Sequence, residues 1–215
     1  MKKNISPGHE VLSLKNESIP LLKNRFLDRF TRVKWFVPIL VFTPIIAYFT
    51  FVGITSLPFS QFVISAVTGI LIWTLTEYVF HRFIFHTVPK SKTGRKFHFI
   101  LHGIHHAYPN DALRLVMPPA ISVPLSALFC VVFQALFGSL YSAIFAGFMA
   151  AYLVYDMLHY AVHHVHSSHW QWFNAKKQRH MKHHYLQSES EFAVSSPFWD
   201  RLFNTISSDN NAKKQ

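Results

Sequence analysis

The stretch His98–His106, HFILHGIHH, has the most informative residue spacing in the chain. Within it, His102, His105 and His106 follow an H-x-x-H-H pattern. Residues at i, i+3 and i+4 of a helix share one face, so this spacing predicts three imidazoles pointing at one spot. Clustered imidazoles would repel one another when protonated, and neutral unpaired imidazoles are costly to bury. A bound metal ion removes both costs because it uses the neutral nitrogen lone pair.

Three other stretches repeat the theme: HRFIFH from residue 81, HYAVH from residue 159 and HMKHH from residue 180. The four motifs contain ten histidines, namely His81, His86, His102, His105, His106, His159, His163, His180, His183 and His184. Since one ion takes about four to six ligands, ten histidines predict two metal ions. Glu77 and Asp156 lie four and three residues before a motif histidine. We expect these carboxylates to accept the second ring N–H of a ligand.

The type of ligand predicts the metal only in part. The single cysteine, Cys130, cannot build a cysteine-based site, which structural zinc usually uses. Two ions in imidazole-rich surroundings beside a membrane favour iron and oxygen chemistry. Zinc is not excluded by the ligands, and a purified protein could carry it.

Four apolar stretches lie outside the motifs: 35–56 and 60–80 precede the first motif, and 115–137 and 140–158 lie between the second and the third. None of them contains Lys or Arg. At about 1.5 Å of rise per residue, each is long enough as a helix for a hydrocarbon core of roughly 30 Å. The sequence therefore predicts an all-α, multi-pass membrane protein with four transmembrane helices.

The positive charges predict which side of the membrane carries the histidines. All 21 Lys and Arg lie in residues 1–34, 81–114 and 159–215, and the net charge is +11. The positive-inside rule places these segments and both termini in the cytoplasm. Basic runs flanking apolar spans indicate a membrane boundary, which argues against nucleic acid as the partner.

These assignments divide the chain into two predicted regions. Residues 1–34 form a basic N-terminal segment, in which 21–34 is either an amphipathic helix lying on the membrane surface or a loosely ordered tail. Residues 35–215 form the membrane domain. Its cytosolic helical cap, 81–114 and 159–215, contains all four histidine motifs and would hold the two metal ions.

The motif order H-x4-H, H-x2-H-H, H-x3-H and H-x2-H-H resembles the integral-membrane fatty acid hydroxylase superfamily, which includes sterol desaturases and carotenoid hydroxylases. The segments RLVMPP, LVYDMLHY and FAVSSPFWDRLFNT are similar to those of fatty acid 2-hydroxylases that act on sphingolipid acyl chains. The likeness runs from about Glu77 to Thr205. It implies four transmembrane helices under a cytosolic cap and the ten histidines as ligands of two metals. It also implies that Tyr155 and Asp156 line the site beside His159.

The resemblance implies an O2-dependent, two-iron hydroxylation of a lipid acyl chain at its 2-position, in contact with membrane lipids. Eukaryotic members often carry a fused cytochrome b5 domain, and the residues before Trp35 are too few for one. We therefore expect a separate electron donor, cytochrome b5-like or ferredoxin-like, in a bacterial inner membrane, or in the endoplasmic reticulum of a eukaryote. Two alternatives stay open: a sterol or carotenoid hydroxylase or desaturase, and a membrane metal transporter. A transporter would place its ligands near the bilayer midplane.

Overall fold

The computed structural model describes residues 11–166 and 169–207, so the predicted N-terminal segment and cap are described only in part. Within these ranges every regular element is helical, which confirms the predicted all-α class for this part of the chain. The α-helices are α1 (Arg25–Arg29), α2 (Val37–Ser56), α3 (Phe59–Val79), α4 (Lys92–His98), α5 (Ile104–Ala107), α6 (Pro119–Phe137), α7 (Tyr141–His164), α8 (Gln171–Tyr185) and α9 (Phe198–Leu202). Two π-helical segments, Phe80–Phe85 and Phe99–Gly103, and the 3-10 segment Gly138–Leu140 complete the set.

The helix considered for residues 21–34 is much shorter in the structure. α1 has five residues, and the side chain of Asn24 caps its start by accepting hydrogen bonds from two backbone N–H groups. The Asp28 carboxylate accepts the N–H groups of Leu21 and Leu22 at 2.7 and 3.1 Å. These N–H groups therefore face a side chain, and the helix does not extend back to them.

Three helical stretches are long and apolar enough to cross a membrane: Val37–Ser56, Phe59–Phe85 and Pro119–His164. The sequence predicts four spans, but the two spans predicted at 115–137 and 140–158 correspond to one stretch of 46 residues that begins four residues later than predicted. The stretch begins at Pro119, because proline suits the first turn of a helix, where its missing N–H costs no hydrogen bond; a second proline, Pro124, lies inside α6. The last two stretches also run past their predicted ends at 80 and 158, since histidines do not interrupt helical hydrogen bonding.

The 46-residue stretch turns back on itself at Gly138, whose φ is +54°. The Phe133 ring lies 6.4 Å from Phe145 and 5.1 Å from Phe148, measured between centroids. The Phe129 ring lies 4.8 Å from Phe148. Earlier residues of α6 thus meet later residues of α7, so the two helices pack antiparallel as a hairpin.

Replacing Gly138 by valine is expected to lower the free energy of unfolding by about 1–3 kcal/mol. The φ of 54° with ψ of −125° is a combination that a side chain with a Cβ rarely adopts. Nothing lies within 4 Å of a Cβ added there, so the cost would come from the backbone alone. Thermal unfolding in detergent measures it, with Ser139→Ala as the neighbouring control. An unchanged melting temperature would show that the turn does not depend on this conformation.

The described residues form two compact units. The apolar unit comprises 18–76 and 112–160, and the histidine unit comprises the described parts of 1–17, 77–111 and 161–215. The core of the apolar unit consists of Phe42, Phe133, Ile144, Phe145, Phe148, Met149 and Tyr152. Two apolar helices, α3 and α7, continue along the chain into the histidine motifs that begin at His81 and His159.

Candidate metal centre

The ten predicted histidines lie in two buried groups of five. The first group comprises His81, His86, His102, His106 and His183, and the second comprises His105, His159, His163, His180 and His184. Each histidine offers one ring nitrogen, and the nitrogens of a group all lie within 4.8 Å of one another. No member is more than 8% exposed. The structure therefore brings together all ten residues, while their role as ligands stays a prediction.

Two of the motifs are divided between the groups. His102 and His106 belong to the first group, whereas His105 belongs to the second. Likewise His183 belongs to the first group, and its neighbour His184 belongs to the second. The prediction that all three imidazoles of one motif point at one spot is wrong, because successive helical residues are about 100° apart around the axis. Each such motif contributes to both groups.

The H-x4-H motif depends on a π-helical turn. His81 lies in the segment Phe80–Phe85, and the N–H of His86 donates to the carbonyl of His81 at 3.1 Å. On an α-helix, residues five apart would be about 140° apart, whereas the i→i+5 bonding of a π-helix stacks them. The two ring centroids are 4.8 Å apart. A second π-helical segment, Phe99–Gly103, carries His102. The five-residue spacing is the one sequence signal that could have indicated the first of these turns.

The distances between ring nitrogens fit metal coordination. In the first group, Nε2 of His102 lies 3.1 Å from that of His81 and 3.0 Å from that of His106. In the second group, Nε2 of His180 lies 2.9 Å from His163 and 3.0 Å from His184. Nitrogens about 2.0–2.1 Å from one ion, at roughly 90° to 110° to each other, are about 2.8–3.4 Å apart. The residues present therefore fit one ion in each group.

Two backbone carbonyls orient rings of the first group. Nδ1 of His81 donates to the carbonyl of Phe192, and Nδ1 of His183 donates to the carbonyl of Ser190 at 2.6 Å. A neutral imidazole carries one ring proton, so Nε2 of each ring presents its lone pair to the group.

Burial and neighbouring imidazoles favour the neutral form of three rings in the two groups. Burial first, and then the charges of neighbouring histidines, lower the pKa of His102, His106 and His184 well below the ordinary value. The neutral form is the one that binds metal, so the surroundings of both groups favour ligation.

The acidic residues are placed differently from the prediction. Oε1 of Glu77 accepts the backbone N–H groups of Val194 and Ser195 at 2.7 and 2.9 Å, and within the described part of the chain its carboxylate has no ring N–H as a partner. Oδ1 of Asp156 accepts the backbone N–H of Met117 at 3.3 Å. The expected bonds to rings are wrong for Glu77 and for Asp156, because backbone N–H groups from elsewhere in the chain lie at both carboxylates and their other oxygens have no partner among the described residues.

Two other residues flank the groups. The Tyr155 ring stacks on His159 with centroids 5.8 Å apart and planes 13° apart. Nε2 of His98, which lies outside the four motifs, hydrogen-bonds the carbonyl of Phe85 at 2.6 Å. His98 is a member of neither group.

This chain is similar to a family of known proteins. The Fatty acid hydroxylase family model matches residues 66–205. Ceramide very long chain fatty acid hydroxylase scs7 of Schizosaccharomyces pombe is 34% identical, over 87% of this chain and 55% of the relative. Dihydroceramide fatty acyl 2-hydroxylase FAH2 of Arabidopsis thaliana is 32% identical, over 84% of this chain and 77% of the relative. The chain thus spans about half of the yeast relative and about three quarters of the plant one.

A solved structure shows the same fold. Full length scs7p, in which only the hydroxylase domain is visible, matches with a TM-score of 0.81 and 35% identity. The match covers 87% of this chain and 72% of that chain. Two relatives and one structure therefore agree with the family model. The chain belongs to the fatty acid hydroxylase family.

Proposed function

We propose that this chain is a membrane-bound fatty acid 2-hydroxylase that uses two iron ions, held by the ten histidines, and O2 as co-substrate. The observation that carries the proposal is the pair of buried groups whose ring nitrogens converge to about 3 Å. The relatives compared above are named for ceramide or dihydroceramide acyl chains, which favours a sphingolipid acyl chain over a sterol or a carotenoid as substrate.

The side chains would position and protect the reaction. Iron bound in the groups would supply the one-electron and oxygen chemistry that side chains lack, whereas zinc, which the same imidazoles would hold, has no redox chemistry. The buried imidazoles offer neutral nitrogens and exclude bulk water. Tyr155 and Asp156, which precede His159 on α7, are proposed to line the site and to orient the acyl chain with its C2–H bond toward the groups.

We propose four membrane spans, in α2, α3, α6 and α7. The hairpin at Gly138 supports counting the 46-residue stretch as two spans, since a straight helix of that length would measure about 69 Å. The positive-inside rule puts the histidines on the cytoplasmic side, in a cap formed by 81–114 and 159–215. The division at residue 35, a bacterial inner membrane location and a separate electron donor, cytochrome b5-like or ferredoxin-like, remain part of this proposal.

Lipid mass spectrometry tests the function. Expression of the full chain in a host that lacks 2-hydroxy lipids is expected to yield acyl chains heavier by one oxygen, with the label from 18O2 on C2. His106→Ala is expected to lower this product at least ~100-fold, because even partners of metal ligands cost about 10–100-fold. Gln171→Ala, on an exposed position of α8, serves as the control. Equal product from His106→Ala, or an oxygen on a sterol instead, would contradict the proposal.

A further inference from the structure

The segment 190–195, here called the tail loop, follows α8 and lies against two buried carboxylates. The Asp200 carboxylate accepts one backbone N–H with each oxygen, from Phe192 to Oδ1 and from Ala193 to Oδ2, both at 2.9 Å. Its Oδ1 also accepts the hydroxyl of Thr205 at 2.8 Å. Asp200 is fully buried, so these bonds are made away from bulk water.

Glu77 holds the other half of the tail loop. Its Oε1 accepts the next two backbone N–H groups, from Val194 and Ser195. Four consecutive N–H groups of the tail loop are thus bound by two carboxylates from different parts of the chain. Because all four donors are satisfied at once, the backbone of the loop has little freedom to rotate.

The carbonyls of the same loop hold imidazoles. The carbonyl of Phe192 accepts Nδ1–H of His81, and the carbonyl of Ser190 accepts Nδ1–H of His183. Both rings belong to the first group. A rotation of the loop peptides that broke the carboxylate bonds would also move these carbonyls away from the rings.

We propose that Glu77 and Asp200 are positioning residues for the first histidine group. Through the tail loop they hold the carbonyls of Ser190 and Phe192, which fix the orientation and the protonated nitrogen of His183 and His81. They thereby set the metal affinity of the first group without touching the metal site. This inference depends on the metal-binding role proposed above for both groups.

The two carboxylates allow a matched set of variants. Glu77→Leu removes both acceptor bonds, whereas Glu77→Gln keeps one side-chain oxygen that can still accept from Val194 and Ser195. Asp200 uses both oxygens, so Asp200→Asn leaves one backbone N–H facing an amide NH2 group. The geometry therefore predicts that Gln at position 77 is tolerated and that Asn at position 200 is not.

Titration of the metal-free full chain with Co2+ in detergent tests this, followed by cobalt absorption bands and by equilibrium stoichiometry. The unchanged protein and Glu77→Gln are expected to bind two equivalents. Glu77→Leu and Asp200→Asn are expected to keep one affinity unchanged and to weaken the other about 10–100-fold. With His184→Ala, which disables the second group, Glu77→Leu should weaken the one remaining site by the same factor.

Each other outcome has a defined meaning. Two unchanged affinities in Glu77→Leu would overturn the positioning role. An equal loss at both sites together with a lower melting temperature would assign the carboxylates a general structural role and also overturn it. Should Glu77→Leu fail to fold, the Co2+ affinities of Asp200→Asn and Glu77→Gln test the proposal instead. Equal affinities in these two variants would overturn it. If the unchanged protein binds no Co2+, the proposed metal-binding role of the histidines is itself wrong.

Discussion

Alanine at His183 is expected to remove metal from the first group, and alanine at His184, the next residue, to remove metal from the second. The two rings project from α8 about 100° apart, and the structure assigns them to different groups. Each variant should bind one equivalent of Co2+ instead of two. Each should also lose 2-hydroxy lipid at least ~100-fold, because the proposed reaction needs both ions.

Double variants show which histidines share an ion. Combining His183→Ala with His106→Ala disables one group twice and should leave one equivalent bound. Combining His183→Ala with His184→Ala should leave none. Gln178→Ala, on an exposed position of the same helix, is the control for the substitution itself. If both double variants bound the same amount of metal, the division into two groups would be wrong.

The apolar helices could be predicted from the sequence because a run of about 20 apolar residues without charge can satisfy its backbone hydrogen bonds in lipid by forming a helix, and few other structures do so. The predicted span 35–56 matches α2 (Val37–Ser56) to within two residues at its start and at its end. The break between the predicted spans 115–137 and 140–158 likewise coincides with the turn of the helical hairpin. Its turn at Gly138 is three residues long, so the structure continues the helical stretch through it.

The ten histidines could be predicted because their spacing repeats in four motifs. Their division into groups could not, since it depends on which helices pack together. Residues i and i+4 share a helix face, and this correctly pairs His102 with His106. The same spacing does not indicate which other segment supplies the next ligand. The π-helical turn that aligns His81 with His86 is a property of backbone hydrogen bonding, and only the five-residue spacing of the two histidines indicates it in the sequence.

The role of Glu77 illustrates a limit of reasoning from proximity in sequence. Its position four residues before His81 suggests direct contact with a ligand. In the structure it binds the N–H of Val194, 117 residues later. The sequence does not indicate which distant segment will pack against a buried carboxylate. The indirect connection from Glu77 through the tail loop to the histidines therefore could not be predicted.

Alanine at Gly147 is expected to lower the free energy of unfolding of the apolar unit by at least about 3 kcal/mol. A Cβ added to Gly147 would lie 2.0 Å from the carbonyl oxygen of Ala66, and one added to Gly69 would lie 1.9 Å from that of Ile144. α3 and α7 therefore cross with their backbones in contact, as small residues permit in membrane proteins. The two helices would have to separate, and thermal unfolding in detergent should show a melting temperature lower by roughly 10 °C.

Gly53→Ala is the matched control for this prediction. A Cβ there would meet a ring carbon of Phe62 at 3.0 Å, and the nearest backbone atom, Cα of Ala143, at 3.3 Å. The aromatic ring can rotate away from the added Cβ, and alanine stabilises a helix by about 1 kcal/mol relative to glycine. The net change in the free energy of unfolding should therefore be small. Equal melting temperatures for Gly53→Ala and Gly147→Ala would contradict the backbone contact. If only Gly147→Ala lowers the melting temperature, the close crossing depends on the absence of a Cβ at position 147. A general effect of glycine in a helix would change both variants.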